Sequence, residues 1–348
     1  MKKIIYFTIL LFLLLIKHTF SQDIHSSQSF YNFHYYFPSI FPIYGDNIWG
    51  NINYRQQWNS FTKAYNTYSV NISYMVPGQK NGNLYVQAGY INDNSYNGIY
   101  SRNYLPITVG YNLKIGVNMF ISFCTGTTIR KNYINYSRLN FPDEWNNTSS
   151  NFNNGSAEVF QNESKYIFDV PISISYYKKN FLMCFNSNYY SNDRFYLSNS
   201  YNNQWNSVNN WKLSTLIIWN IKSIEGPSPH PIFIHRLKFF YTFHNNTSLN
   251  FTNSNDGLLI YSIGYNNVSC GLGIRNTIRD ILINVGFRTQ RQFRFEMTYD
   301  MNTSRLVPST NLNGAFEISI IYESKIAKNK KYQFKNNVCY LDTNGMGE

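Results

Sequence analysis

Over long stretches of this 348-residue chain the side chains switch between apolar and polar at every step. Tyr68, Val70, Ile72 and Tyr74 alternate with Ser69, Asn71 and Ser73. Phe293, Phe295, Met297 and Tyr299 alternate with Arg294, Glu296, Thr298 and Asp300, and Phe316, Ile318, Ile320 and Tyr322 flank Glu317 and Ser319. A period of two is that of a β-strand, so each segment presents one greasy and one wet face. Such runs fall near 47–57, 65–75, 83–92, 105–116, 118–128, 165–177, 180–190, 210–221, 231–243, 257–265, 268–275, 280–288, 292–302 and 313–323, about fourteen in all.

A soluble sandwich also alternates, but it hides its apolar parity in a core and seldom needs so many aromatics at strand ends. Here 18% of the residues are aromatic and only 14% charged, against about 25% charged in an ordinary soluble domain. No stretch beyond the first twenty positions approaches the ~20 apolar residues of a membrane helix. The remaining way for such a chain to face lipid is a closed barrel. The expected fold is therefore all-β, a transmembrane antiparallel β-barrel of about 14 strands over 47–323, the even number suiting a bacterial outer membrane. At roughly 3.3 Å per residue and a tilt near 45°, ten residues cover about 25 Å, the height of the apolar band.

Barrels of this kind have short periplasmic turns and longer outer loops. With the first strand rising from the periplasm, the outer connections are 58–64, 93–104, 129–164, 191–209, 244–256, 276–279 and 303–312, several of them long and rich in Asn and Ser. The inner ones include Lys178-Lys179, Asn266-Asn267 and Thr289-Gln290-Arg291. Pro227 and Pro229 suggest a longer inner excursion at 222–230, and 247–253 is a candidate extra strand that would upset the parity.

Ahead of the barrel, Lys2 and Lys3 precede an apolar run from Ile4 to Ile16, and Thr19-Phe20-Ser21 supplies small residues for a cut before Gln22. Residues 1–21 read as a cleaved signal peptide and place the mature chain outside the cytoplasm. Segment 22–46 carries Phe30, Tyr31, Phe33, Tyr35, Tyr36, Phe37 and Phe41 before the first strand. Its aromatics need burial, in the barrel mouth as a plug or in a groove on a partner, and neither parity nor composition decides which. Residues 324–348 form a basic periplasmic tail with Lys325, Lys328, Lys330, Lys331 and Lys335. The formal charge is +12, of which the leader lysines supply three. In an exported chain nucleic acid is not the expected partner, and the tail is either a solvated segment or a patch that meets anionic headgroups or an acidic partner.

The same parity turns Arg55, Arg275, Arg288, Arg294, Glu296, Asp300 and Glu317 into the lumen, where a charge avoids the roughly 2–4 kcal/mol that Arg costs at mid-bilayer. Closure makes the first and last strands neighbours, so Arg55 is placed to pair with Glu317, with Asp300 one strand further round. Arg55, Arg294, Glu296, Asp300 and Glu317 thus form a lumen charge network, either an ion-pair set that stiffens and plugs the barrel or a grip on a passenger. Tyr54, Trp58, Tyr68 and Tyr74 are placed as interface anchors at strand ends.

Several blocks carry a family resemblance. Asp23-Ile24-His25-Ser26-Ser27-Gln28, with Tyr31 and Pro38 following, resembles the opening of the PorP/SprF family of type IX secretion outer-membrane proteins of Bacteroidetes. Asn53-Tyr54-Arg55-Gln56-Gln57-Trp58 resembles its N-Y-R-x-Q-W segment, and Tyr299-Asp300-Met301-Asn302-Thr303-Ser304 its Y-D-x-x-x-S element. Gly314-Ala315-Phe316-Glu317-Ile318 resembles the closing G-x-x-E-[IL] strand. The family-motif positions are Ser27, Gln28, Tyr31, Asn53, Tyr54, Arg55, Gln57, Trp58, Tyr299, Asp300, Ser304, Gly314 and Glu317. The chain departs from the family at Phe37-Pro38-Ser39, where N-P-A is usual, and at Cys339-Tyr340, where Cys-Pro is. The resemblance implies an outer-membrane component of the secretion and gliding machinery. Its implied partners are a type IX cargo with a sorting domain or a periplasmic peptidoglycan-binding anchor protein.

Nothing points to catalysis, a cofactor or a metal. Cys124, Cys184, Cys270 and Cys339 are far apart with no C-x-x-C pair, so one long-range disulfide is the most they offer. Of six histidines only His230 and His235 approach ligand spacing, and no G-x-S-x-G elbow occurs. The sequence reads as a non-enzymatic binding barrel embedded in outer-membrane lipid. The alternative is a porin-like channel or transporter for small solutes, in which the same lumen charges would select ions.

Overall fold

The computed structural model describes residues 26–44, 48–58, 64–76, 82–95, 98–116, 119–139, 144–146, 151–152, 162–178, 180–190, 210–225, 231–245, 254–265, 267–275, 280–289, 292–303 and 313–324. The signal peptide, the candidate strand at 247–253, Ser304, His230, Cys339 and the tail lysines Lys325, Lys328, Lys330, Lys331 and Lys335 lie outside them.

The strands follow the alternation. In the first half of the chain they are β1 (Ile48–Gln57), β2 (Tyr65–Val76), β3 (Gly82–Ser95), β4 (Tyr100–Gly116), β5 (Met119–Ile134), the short pair β6 (Trp145–Asn146) and β7 (Asn151–Phe152), and β8 (Glu163–Lys178). The rest are β9 (Phe181–Tyr190), β10 (Asn210–Glu225), β11 (Pro231–Asn245), β12 (Ser254–Tyr265), β13 (Val268–Arg275), β14 (Asp280–Arg288), β15 (Phe293–Asn302) and β16 (Asn313–Ser324). Apart from β6 and β7, which pair with each other, the strands run antiparallel to their chain neighbours, and β1 closes on β16 to complete a barrel of 14 strands. Closure abolishes free sheet edges, the condition for placing a sheet in hydrocarbon. Among the described residues no helix is long and apolar enough to cross a membrane, so the crossing belongs to the strands.

Burial shows which parity faces out. Along β2, Tyr68, Val70, Ile72 and Tyr74 are 38–56% exposed, whereas Ser69, Asn71 and Ser73 are buried. Phe293, Phe295, Met297 and Tyr299 of β15 are likewise exposed, with Arg294, Glu296, Thr298 and Asp300 buried between them. A water-soluble sandwich would show the reverse, so the apolar outer wall marks a surface solvated by lipid.

The strands beside the largest loops run longer than alternation indicates. β4 has 17 residues and β5 and β8 have 16 each, more than the roughly ten that span the apolar band. The extra length takes in Tyr100–Tyr104 and reaches Ile134, segments read from sequence as loop. Beyond the bilayer both faces of a strand meet polar surroundings, so the two-residue signal fades while the ladder continues. Side-chain pairs hold that rim together: Arg102 with Asp93 at 2.8 Å, Thr67 with Asp93 at 2.7 Å, and Arg130 with Asp169 at 3.3 Å. The connection 129–164 is likewise part structure, holding a 3-10 turn at Tyr136–Arg138 and the β6–β7 pair.

Ahead of β1, a single helical turn α1 (Phe33–Tyr36) and a 3-10 turn (Pro38–Tyr44) lead into the barrel. Every residue of 26–42 is buried, although no strand pairs with the segment. Phe33, Phe37 and Phe41, four residues apart, are wholly buried. They pack on inward-facing aromatics: Phe33 lies 4.5 Å from Trp49, Phe37 5.6 Å from Phe240 and Phe41 5.8 Å from Tyr85, ring centre to ring centre. The N-terminal segment therefore fills the lumen, and its aromatics join buried wall residues such as Leu216, Leu258 and Ile260 in one apolar cluster.

Candidate functional site

The plug meets the wall most closely where the chain's first and last strands join. Register sets Arg55 directly opposite Glu317, and Asp300 sits on β15, the next strand round. Arg55 Nη1 lies 3.1 Å from Glu317 Oε2, and Arg55 Nη2 lies 3.2 Å from Asp300 Oδ2. Arg275 reaches in from β13 to bond the same Asp300 oxygen at 3.2 Å and approaches Asp256 at 3.8 Å. All four bonded groups are at least nine-tenths buried, the regime in which charges need partners and hydrogen bonds together.

Local backbone shapes this corner. The β15–β16 register shifts between Asp300 and Met301, so that Asp300 faces Ala315 while Met301 faces Asn313 and Gly314 is left over as a bulge. A Cβ at Gly314 would run into the Asp300 carbonyl oxygen, so only glycine permits this approach. The Gly314 carbonyl accepts a 2.7 Å bond from the Trp58 N–H, and Trp58 itself has φ 57°, a left-handed conformation that costs a bulky residue energy. The Trp58 ring meets Tyr65 edge-on at 5.2 Å. The N-Y-R-x-Q-W and G-x-x-E-[IL] blocks are thus two sides of one joint.

The start of the plug completes it. Ser26 Oγ donates to Glu317 Oε1 at 2.6 Å, the Ser27 N–H to Glu317 Oε2 at 2.7 Å, and Ser27 Oγ to Asp300 Oδ2 at 2.5 Å. Ser27 Oγ also accepts from Arg55 and from Arg275, each at 2.9 Å. Gln28 Nε2 donates to Thr298 Oγ1 at 3.0 Å and to the Glu317 carbonyl at 3.2 Å. Asn53 Nδ2 donates to Glu317 at 3.0 Å and to Ser319 at 2.8 Å. Ser27, Gln28, Asn53, Arg55, Asp300, Gly314 and Glu317, drawn from blocks almost three hundred residues apart, therefore converge on one carboxylate pair.

Further along the lumen, Tyr31 donates its hydroxyl to Glu296 at 3.0 Å and lies with its ring centre 5.0 Å from the Arg294 guanidinium, which bonds Glu296 at 2.6 Å. Lys238 sits 4.4 Å from the Phe30 ring centre and Lys212 5.2 Å from that of Tyr35, so cations of β10 and β11 face the plug's aromatics across the barrel. Towards the opposite end, His34 bonds Ser73 at 2.6 Å and Ser39 bonds Ser173 at 2.6 Å, with Cys184 Sγ 3.2 Å from Ser39. Burial pushes the His34 imidazole down to about 3, so it is neutral at ordinary pH.

Not every motif residue joins this site. Tyr54 faces outward, its ring tilted against that of Tyr68 at 5.0 Å and its hydroxyl bonded to Asn66, and Tyr299 is on the exposed face. Gln57 ends β1 half-buried. Arg288 pairs with Glu323 at 2.5 Å, away from the cluster. Cys124, Cys184 and Cys270 are free thiols, and His235 bonds Tyr261 at 2.6 Å. Among the described residues no group of three or more His, Cys, Asp or Glu side chains is placed to hold a metal. Ser26, Asn32 and Asp256 enter the cluster without any signal in the strand pattern, because two lie in the plug and Asp256 acts through Arg275. Arg275 has the inward parity but is two strands from β15, and only the curvature of the wall and the length of its side chain bring it to Asp300.

Solved structures similar in shape include the toluene transporter TbuX of Ralstonia pickettii, with TM-score 0.49, 6% identity and coverage of 85% of this chain and 93% of that one. A FadL homologue of Pseudomonas aeruginosa gives 0.45 at 8% identity, covering 84% and 93%. The translocator domain of the autotransporter NalP from Neisseria meningitidis gives 0.40 at 10%, covering 80% and 88%. Likeness at that level bears on neither function nor mechanism. No curated protein sequence matches the chain. The model of the family described as type IX secretion system membrane protein PorP/SprF, in contrast, matches residues 18–322. That span takes in the plug, the joint and all but the last two residues of the fourteen-stranded barrel, and the chain belongs to the PorP/SprF family of type IX secretion system membrane proteins.

Proposed function

We propose that this outer-membrane barrel works by binding, holding an exported surface protein with a sorting domain, or a peptidoglycan-linked anchor protein, at the secretion machinery. It carries out no covalent chemistry in this reading. The observation that carries it is the filled interior. A lumen occupied by Ser26–Pro42, latched to Asp300 and Glu317, favours a holder over a conduit for small solutes. The outer loops, the long rim of β4, β5 and β8, and the basic tail with Lys325, Lys328, Lys330, Lys331 and Lys335 are its contact surfaces. A cleaved signal peptide at 1–21 delivers the chain, and β1 rises from the periplasm.

Affinity capture of the tagged protein from mildly solubilised outer membranes tests this. Recovery of a sorting-domain protein or a peptidoglycan-binding protein supports it. Recovery of neither, together with graded solute conductance in planar bilayers, would replace it with the porin-like alternative.

A further inference from the structure

The bonds that hold the plug differ in kind from those that hold the wall. Arg55 pairs with Asp300 and Glu317, Arg275 with Asp300, and Arg294 with Glu296, all between strands or within one strand of the barrel. The plug adds hydroxyls, amides and two backbone N–H groups to carboxylates that are already compensated. Its departure would therefore leave none of these carboxylates without its arginine, and water or another donor could take its place.

The latch is also incompletely matched. Gln28 Oε1, Asp300 Oδ1 and Arg55 Nε are buried without a protein hydrogen-bond partner among the described residues. Beside its buried apolar residues, the wall facing the plug carries small neutral polar groups, among them Asn51, Asn53, Ser69, Ser73, Ser173 and Ser175, which suit water or a passing backbone equally well. Among the described residues the segment has one helical turn and a 3-10 turn of its own and no strand pairing with the wall.

We propose that segment 26–44 is an exchangeable occupant, and that the lumen is a binding site for a turn-forming polypeptide segment of a partner. The fitting ligand begins with hydroxyl and amide side chains that can reach Asp300 and Glu317, and continues with aromatics four residues apart that enter the slots of Phe33, Phe37 and Phe41. This deepens the partner-binding reading above and rests on it, since it says where a polypeptide partner enters. The expelled segment presents its own aromatics to whatever receives them, so exchange couples the lumen to the partner.

The structure supplies a lock. Ser39 Oγ lies 3.2 Å from Cys184 Sγ, so Ser39→Cys in a Cys124→Ser background is placed to bond the plug to β9 on oxidation and release it on reduction. The probe is a fluorescent synthetic peptide of residues 26–44, titrated into the full-length barrel in detergent. Reduced protein is expected to bind it and oxidised protein to bind at least about tenfold more weakly, because the competent fraction sets the apparent affinity. A peptide carrying S26A, S27A and Q28A should also bind about tenfold more weakly. On the unmodified chain, saturating peptide should expose the plug to chymotrypsin. Equal binding by locked and unlocked barrels, or a plug whose cleavage the peptide leaves unchanged, overturns the proposal. A natural partner recovered equally with both forms would refute exchange and leave partner binding standing; peptide exchange with no partner recovered would do the opposite.

Discussion

The joint between β1 and β16 is the most exposed part of this reasoning, and a double-mutant cycle on Arg55 and Glu317 tests it. Arg55→Ala removes two bonds to Asp300, one to Glu317 and one to Ser27. Glu317 is left with Ser26, Ser27, Gln28, Asn32 and Asn53 as donors but no cation in contact, and Asp300 retains Arg275. Breaking a buried pair from one side costs about 3–5 kcal/mol, and the surviving partners place this one near the lower end, roughly 3 kcal/mol. Glu317→Ala should cost a similar amount, since Arg55 keeps Asp300 while the plug loses most of its anchors. Neither loss can be incurred twice, so the double variant should fall short of the sum by about 2 kcal/mol, within the range measured for contacting residues. That shortfall is a factor of about 30 in the folding equilibrium. Urea titration of the barrel in detergent, read by the gel shift between folded and unfolded forms, gives all four corners of the cycle. Strict additivity within about 0.5 kcal/mol would mean the two side chains do not touch and would remove the joint from the site.

Three further outcomes follow from particular contacts. Gly314→Ala should destabilise the folded barrel by about 1–3 kcal/mol in the same urea titration, because the new methyl meets the Asp300 carbonyl; Gly50→Ala, whose Cβ would lie 3.8 Å from its nearest neighbour, should be close to neutral there. His34, held neutral by burial with its pKa about 3, takes up a proton near 6.5 when released, so the docked plug is at full strength above pH 6.5 and weakens as pH falls towards 3. Cleavage of the plug by pepsin, an acid protease, normalised to an unfolded substrate at each pH, should quicken over that window in wild type and lose this slope in His34→Gln. Ile72→Arg, on the lipid face at 56% exposure, should cost about 2–4 kcal/mol on refolding into vesicles, while an equal loss in detergent micelles and bilayers would argue against lipid contact.

How legible the site was varies with the reach of the interactions. The pairing of Arg55 with Glu317 could be written down from parity and closure alone, because both residues sit on regular strands and register in a barrel is fixed by which face each side chain takes. The carboxylates' other partners were not legible. Ser26 and Asn32 lie in a segment with no period, and Arg275 meets Asp300 across a strand through the length of a side chain. The rim of β4 and β5 was missed for a related reason: where lipid ends, alternation ceases to be enforced although the hydrogen-bonded ladder does not.

The sequence by itself determined the class of fold and the strand boundaries within the membrane. Hydrocarbon outside and polar groups inside impose a local, two-residue rule that any short stretch displays. Only the tertiary structure decided what the barrel contains. Whether the aromatics of 26–42 fill the lumen or leave it depends on the shape and donors of a space enclosed by all fourteen strands at once, and no local pattern encodes an enclosed volume.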